Sequence, residues 1–331
     1  MQLVPGMDTI MAEAATSPVA GHVRWAPVKS IWIGSMTATA FLVGPFVATW
    51  DALALFLITT AVTLCFGHSV GMHRRLIHRS FACPRWLEYF LVYLGTLVGM
   101  AGPLGMMRQH DMRDWAQRQA ECHAYLCHRR SFWRDAWWQL HCELVLDHPP
   151  RFAPPPEIAY DAVYRWMERT WMAQQLPWAI LFFALGGWSW VVWGTAARVA
   201  VSVTGHWLVG HYAHRQGPQS FLIEGAAAQG YNVAIAGLIS MGESWHNNHH
   251  AYPGSAKLGL FPGQADPGFW LIKGFEAVGL AWDIRLPEHL PHRLQLLHLN
   301  RDGGGCPALR RLEHWAAARD TRARRPRQSA A

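Results

Sequence analysis

IWIGSMTATAFLVGPFVATW, residues Ile31–Trp50, followed by Asp51 and then ALALFLITTAVTLCFG, residues Ala52–Gly67, decides the fold class. The first run has the roughly 20 apolar residues a helix needs to cross a bilayer. Asp51 is the only charge before the second run, so a tight helical hairpin with no Lys or Arg in its loop is expected. Further along, Leu176–Trp193 and Thr195 to about Val209 repeat the pattern through Gly186-Gly187-Trp188-Ser189-Trp190, with Trp193 beyond it. Those tryptophans suit an aromatic belt, and Arg198, early in the fourth run, is expected to snorkel to the outer interface. Composition agrees. Only 15% of the 331 residues are charged while 51% are hydrophobic and 19 are Trp, against about 25% charged in a soluble domain. Mean hydropathy near zero leaves a sizeable polar portion outside the bilayer.

Basic residues crowd between and after the two hairpins: Arg74, Arg75, Arg79, Arg108, Arg113, Arg118, Arg129 and Arg130, then the tail from Arg310 to Arg327. The positive-inside rule puts these on the cytoplasmic side, as for a bacterial inner-membrane protein with both termini cytoplasmic. The expected fold is all-α, with four transmembrane helices in two hairpins (about 31–50, 52–70, 176–193 and 195–212) and a cytoplasmic helical cap. Residues 1–30 form a cytoplasmic lead-in without the apolar core of a signal peptide. Residues 31–287 form the membrane domain, and 288–331 a basic tail. Leu87–Met107 is long enough to span, but Glu88, several glycines and Pro103 interrupt it. Spanning would put His110 across the membrane from His78, so a helix in the interface or buried against the bundle is preferred. The net charge of +7 suits anionic lipid or an acidic partner; no basic stripe with interleaved aromatics marks a nucleic-acid site.

The polar residues at the ends of these apolar runs are histidines. Trp245-His246-Asn247-Asn248-His249-His250 puts imidazoles at i, i+3 and i+4, which share one helix face, so all three rings can point at one metal centre. Gly71-Met72-His73-Arg74-Arg75-Leu76-Ile77-His78 follows the second run. An i, i+5 pair does not share a face of a regular helix, so that helix is expected to end or distort between the rings. Neutral imidazole suits iron, copper, zinc and nickel. Cys122-His123, Cys127-His128 and His141-Cys142 also hold zinc-type ligands, but their spacing matches no common finger; packing or support of the main site is preferred. The cysteines show no disulfide framework.

Together, His73/His78 and His246/His249/His250 resemble the first and third boxes of the membrane fatty acid desaturases, the acyl-CoA and acyl-lipid enzymes with three histidine boxes. The resemblance runs from about Ile31 to Pro287. It implies a further ligand where the family reads Trp-Leu-Val-Asn-Ser, two residues, then His. Here Trp207-Leu208-Val209-Gly210-His211-Tyr212-Ala213-His214 gives that position to His214, with Gly210 in place of the asparagine. His206 and His211 are additional; they either support the centre or line it as polar residues. The second box departs from the family's His, two residues, then His-His. Gln109-His110-Asp111-Met112-Arg113-Asp114 offers His110, with Arg113 and Asp114 at the next two positions. Arginine cannot be deprotonated to ligate a cation; Asp114 can ligate or act as partner to an imidazole.

The resemblance therefore implies two iron ions (Fe2+/Fe3+) on His73, His78, His110, Asp114, His214, His246, His249 and His250, with O2 as co-substrate. Glu243, Asn247 and Asn248 are candidates to orient the rings. Arg74, Arg75 and Arg79 either hold an anionic head group or are positive-inside charges. The implied reaction is cis desaturation of a saturated long-chain acyl-CoA or acyl-lipid within membrane lipid. A hydroxylase on the same scaffold, or a non-catalytic haem- or zinc-binding membrane protein, is the alternative. No glycine fingerprint, ferredoxin cysteine set or haem module is fused to the chain. Electrons are thus expected from a separate electron-transfer protein, docked on the basic face.

Overall fold

The computed structural model describes residues 9–299; the tail from Gly303 on, with Cys306 and Arg310–Arg327, lies outside the described residues. Helix α1 (Pro27–Leu42) starts with Pro27 in its first turn, where the missing N–H costs nothing. It ends well before Trp50. A 3-10 turn at Gly44–Val47 carries the chain to Thr49, whose hydroxyl caps α2 (Trp50–Val62). The break thus falls at 43–49 rather than beside Asp51, because Gly44-Pro45 cannot continue the helix.

Helix α2 runs directly into a π-helix, Thr63–Ile77, so 28 residues form one rod. Its i→i+5 pattern continues at the end, where His78 N–H donates to His73 O at 3.0 Å. The expected distortion is therefore a change of helical pitch, and the helix persists through His73. Five-residue spacing of His68, His73 and His78 thereby becomes roughly one turn.

Helix α3 (Arg85–Thr96) lies along this π-helix and α4 (Pro103–Gln117) follows it. The segment 87–107 is thus two helices, parted at 97–102 where Gly99 has φ +84°. Leu87, Leu91 and Val92 are buried against the bundle and the cap. The approach depends on two small residues, as close helix pairs in membranes do. A Cβ on Gly67 would stand 2.3 Å from Gly95 N, and one on Gly71 2.5 Å from Leu91 C. Gly71→Ala is expected to cost about 1–3 kcal/mol of stability, read as a lowered Tm in detergent; an unchanged Tm would contradict the contact.

Helices α5 (Phe132–His141), α6 (Pro156–Ala159) and α7 (Ala162–Thr170) belong to the cap. α8 (Gln175–Val191) then turns back on itself: Gly186 (φ −145°) and Gly187 (φ +61°) leave the helical region. Across that turn the Phe182 ring lies 2.8 Å from where a Cβ on Gly194 would be. A straight helix would separate residues 12 apart by about 18 Å, so the chain reverses here. A π-turn at Val192–Ala197 then leads into α9 (Arg198–Ala213). The reversal falls at Gly186–Gly187, which places 188–193 on the arm leading to α9 rather than on the third predicted span.

Arg198 does not snorkel. It is 2% exposed, donating from Nε to Gly194 O at 2.8 Å and from its two terminal nitrogens to Leu97 O and Gln175 Oε1. Buried carbonyl acceptors outcompete the distant interface. The stretches 50–77 and 175–213 are long and apolar enough to cross a membrane. Leu57, Ile58, Ile180, Leu185 and Val201 on them face outward, unlike the buried face of a soluble core helix.

The remaining helices are α10 (His246–Ala251) and α11 (Pro267–Ala277). Three two-stranded antiparallel sheets tie the cap together: β1 (Ile10–Met11) with β4 (Arg151–Phe152), β2 (Gly21–Trp25) with β3 (Cys142–Leu146), and β5 (Phe221–Ile223) with β6 (Leu296–His298). The fold is mostly helical rather than purely so, and these strands bring the described part of the N-terminal lead-in and residues 296–298 of the tail onto the cap.

Candidate metal centre

Four structural elements converge at the ends of the long helices. The end of the π-helix brings His73 and His78, α4 brings His110, the end of α9 brings His214, and α10 brings His246, His249 and His250. They sort into two groups, His73/His78/His110/His249 and His214/His246/His250, with the ring nitrogens of each group within 4.8 Å of one another. In the first, His78 Nε2 lies 3.1 Å from His73 Nε2 and 3.2 Å from His110 Nε2. In the second, His246 Nε2 lies 3.0 Å from both His214 Nε2 and His250 Nε2.

Helix α10 serves both groups, which corrects the expectation of a single centre for its three rings. At 100° per residue, His249 sits about 60° to one side of His246 and His250 about 40° to the other. His249 accordingly faces His73, at 4.6 Å between ring centroids, while His250 stays with His246 at 4.5 Å. The groups adjoin, with the His249 ring 5.7 Å from that of His246.

Lone pairs of neutral imidazoles 3 Å apart repel unless a cation lies between them. Two imidazoles bound at about 2.1 Å to one ion, at a right angle, have nitrogens about 3.0 Å apart. The observed spacings fit that. The rings are also in the state ligation needs. Burial pushes His246 down to about 4 and holds His78, His249 and His250 well below the ordinary histidine range. His110 differs: burial opposes its charge, but the Asp114 and Asp111 carboxylates outweigh burial and raise it.

Among the candidate supports, Glu243 meets a ring. Glu243 Oε2 lies 2.5 Å from His73 Nδ1, and its other oxygen accepts from Ser69 Oγ at 2.6 Å, so the glutamate fixes that ring. Asn247 and Asn248 act on the helix rather than on the rings. Asn247 Oδ1 accepts from the N–H of Ser220 and Phe221, and Asn248 Nδ2 donates to Leu258 O at 2.7 Å. His206 and His211 do not reach either group: His206 lies edge-on to His68 and His211 hydrogen-bonds Asp135.

Asp114 is buried on α4 outside both groups and pairs with Arg118 at 3.3 Å. Burial opposes its ionisation, yet His110 and Arg118 hold its carboxyl well below the usual range. Arg113 turns away, donating to His128 Nε2 at 2.6 Å and to Gln139 Oε1 at 2.9 Å. The head-group reading of Arg74 is corrected by its burial: 1% exposed, it pairs with Asp266 at 2.8 Å. Arg75 pairs with buried Glu88 at 2.6 Å, and only Arg79, with exposed Glu157 at 3.3 Å, stays at the surface.

Three supports were missed. Asp111 accepts from His110 Nδ1 at 3.0 Å and is itself held by the Thr9 hydroxyl; its adjacency to His110 was the available signal. Gln117 reaches the second group, and its i+7 spacing from His110 marks the same helix face. The third is a buried hub: Asp135 Oδ2 accepts from His128 Nδ1 (2.9 Å), His211 Nδ1 (2.7 Å) and Trp207 Nε1 (2.9 Å). His128, its free nitrogen occupied by Arg113, stacks on His214 with 5.6 Å between centroids and 9° between planes. His128/Asp135/His211 is thus a hydrogen-bonded set that holds Arg113 aside and backs a ring of the second group. No cysteine enters any of the metal-competent groups among the described residues.

Burial also holds His128 at about 4, as it does His246. Unfolding releases both to about 6.5, so between these values the unfolded chain binds more protons and stability rises with pH. The metal-free protein is expected to lose thermal stability progressively as pH falls from 6.5 toward 4, with little change above 7. A flat Tm across that range in detergent would count against buried neutral rings.

Residues 48–256 match the family model described as fatty acid desaturase. The chain is 30% identical over 280 residues to the sn-2 palmitoyl-lipid 9-desaturase of Nostoc sp. (strain 36), covering 84% of this chain and 95% of that protein. It is 31% identical over 254 residues to an acyl-CoA 5-desaturase of Anemone leveillei, covering 76% and 77%. It is 30% identical over 274 residues to the sn-1 stearoyl-lipid 9-desaturase of Anabaena variabilis, covering 83% and 97%.

Proposed function

Because the chain belongs to the fatty acid desaturase family, and so is an oxidoreductase that desaturates acyl chains, we propose how its own residues are deployed. One iron is held by His73, His78, His110 and His249 and a second by His214, His246 and His250, with buried Asp114, paired with Arg118, as an acidic neighbour of the centre rather than a ligand. The observation that carries this is the gathering of seven imidazoles, from four separate sequence segments, into two adjoining groups whose ring nitrogens lie within 4.8 Å of one another, the nearest 3.0–3.2 Å apart. Bound there, iron supplies the capacity to reduce O2 with two external electrons and oxidise a methylene C–H bond. Glu243 and Asp111 hold the rings of His73 and His110 in register, and Asn247 and Asn248 anchor α10. Apolar helices sheath the acyl chain and fix which carbon is presented, since methylenes differ little in intrinsic reactivity.

The four apolar arms cross the membrane as two hairpins within a domain spanning 31–287, with the cap, the iron centre and both termini on the cytoplasmic side of a bacterial inner membrane. The substrate is a long-chain acyl-lipid or acyl-CoA, whose head group meets Arg79. Electrons come from a separate acidic carrier. An open pocket of about 580 Å3 lined by Arg129, Arg130, Arg134 and Arg215, with His214 in its wall, supports that reading. Among the described residues no carboxylate lines it, and it lies beside a ligand of the second iron.

Expression in cells supplied with electron carriers, followed by mass spectrometry of the lipids, tests the assignment. New monounsaturated acyl chains are expected. A hydroxylated product would move the chain to the hydroxylase reading, and a haem Soret band without non-haem iron would make it a binding protein.

A further inference from the structure

The two groups are unequal: four imidazoles in one, three in the other. Beside the smaller group lies an amide that packing alone does not explain. Gln117, at the end of α4, is 1% exposed. Its Nε2 donates to Leu126 O at 2.7 Å and stands 3.1 Å from His214 Nε2. Its Oε1 is buried without a hydrogen-bond partner among the described residues. Burying an amide with an unmet oxygen is unfavourable, and a leucine would fill the same space without that cost.

His214 Nδ1 lies 3.2 Å from Gln229 O, which places the ring proton there and leaves the Nε2 lone pair for the centre. That lone pair points to the space shared with His246 Nε2, 3.0 Å away. Leu126 O fixes the carboxamide with nitrogen towards His214, because turning it over would set two carbonyl oxygens against each other. Once a cation uses the His214 lone pair, the Gln117 N–H has no acceptor on the ring. It still points at the ion's surroundings, and the buried Oε1 also requires a donor. A water on the ion meets the first need, and a second water hydrogen-bonded to it meets the other.

We propose that Gln117 is the fourth group of the His214/His246/His250 site, holding through its carboxamide a water in the coordination sphere of the metal there. This rests on the assignment of a metal to that group. Gln117 is then a positioning residue: it sets the coordination number and geometry of the three-histidine ion and leaves the four-histidine ion untouched.

Cobalt(II) substitution of the purified full chain in detergent tests this, because the visible ligand-field bands of Co(II) intensify as coordination number falls. Wild type is expected to bind two Co(II) per chain. Gln117→Leu is expected to lose the second Co(II), or keep it with intensified bands, while the first remains. Gln117→Glu is expected to bind the second Co(II) at least tenfold more tightly, since a carboxylate oxygen can ligate directly. That variant also decides the matter if Gln117→Leu does not fold. Spectra and stoichiometry matching wild type in Gln117→Leu would overturn the proposal, as would unchanged or weaker second-site affinity in Gln117→Glu. A wild type that binds no metal at His214/His246/His250 would instead overturn the metal assignment itself.

Discussion

Exchanging His249 for alanine is expected to abolish desaturated product in the lipid profile and to cut bound iron from two per chain to one. The ring is 2% exposed and lies 4.6 Å from His73 and 4.9 Å from His78 between centroids, so nothing else on α10 can take its place. Losing a partner that merely orients a ligand typically costs about 10–100-fold in metal affinity or activity; losing the ligand itself is expected to exceed that. The fold should survive, because α10 is anchored by the Asn247 and Asn248 side chains rather than by His249. The second group, His214/His246/His250, should keep its ion. Iron analysis beside the lipid profile separates these outcomes. Two irons with wild-type product would sink the assignment of His249, and loss of both irons would mean the groups are not independent.

The same helix shows what the sequence could and could not reveal. That His246, His249 and His250 lie on one side of a helix was legible from i, i+3, i+4 spacing. That they divide between two groups was not, because the division depends on which elements flank α10 from either side. Likewise the five-residue gap of His73 and His78 signalled a distorted helix, but only the i→i+5 bonding identifies a π-helix rather than an end. The apolar runs marked the helices and Gly186-Gly187 lay within the connection read from the sequence, while the first turn moved to Gly44-Pro45, where backbone chemistry outweighs hydropathy. Charges misled most. Arg74 and Arg198 read as surface cations from the sequence alone, and both are buried against distant acceptors, Asp266 at 192 residues from Arg74 and Leu97 O at 101 residues from Arg198. Sequence-local reasoning cannot see such partners. Gln117 was overlooked because amides carry no metal-ligand signature, though its place two turns beyond His110 was in plain view.

Asp266→Ala is expected to be the most destabilising single change. Asp266 is 2% exposed. Its Oδ1 accepts from Arg74 Nη2 at 2.8 Å and from Phe269 N–H at 3.0 Å, which caps α11. Its Oδ2 accepts from the N–H of Leu258 (2.7 Å) and Gly259 (3.0 Å). Alanine leaves three backbone donors unmet and a guanidinium with 1% exposure short of its main counter-charge. Breaking a buried pair from one side costs about 3–5 kcal/mol, and a lost cap adds roughly 1 kcal/mol. At roughly 2–4 °C per kcal/mol, a Tm drop of roughly 10 °C or more is expected. Arg74→Met combined with Asp266→Leu removes both charges and should recover part of the loss, which distinguishes an orphaned charge from a cavity. A Tm for Asp266→Ala within the error of wild type would refute the account. The consequence reaches the metal centre, because Glu243 Oε1 already lies 3.6 Å from Arg74 Nη2. Freed of Asp266, Arg74 competes with His73 for Glu243. Iron in the four-histidine group should then fall before iron in the three-histidine group, even at temperatures where the variant stays folded.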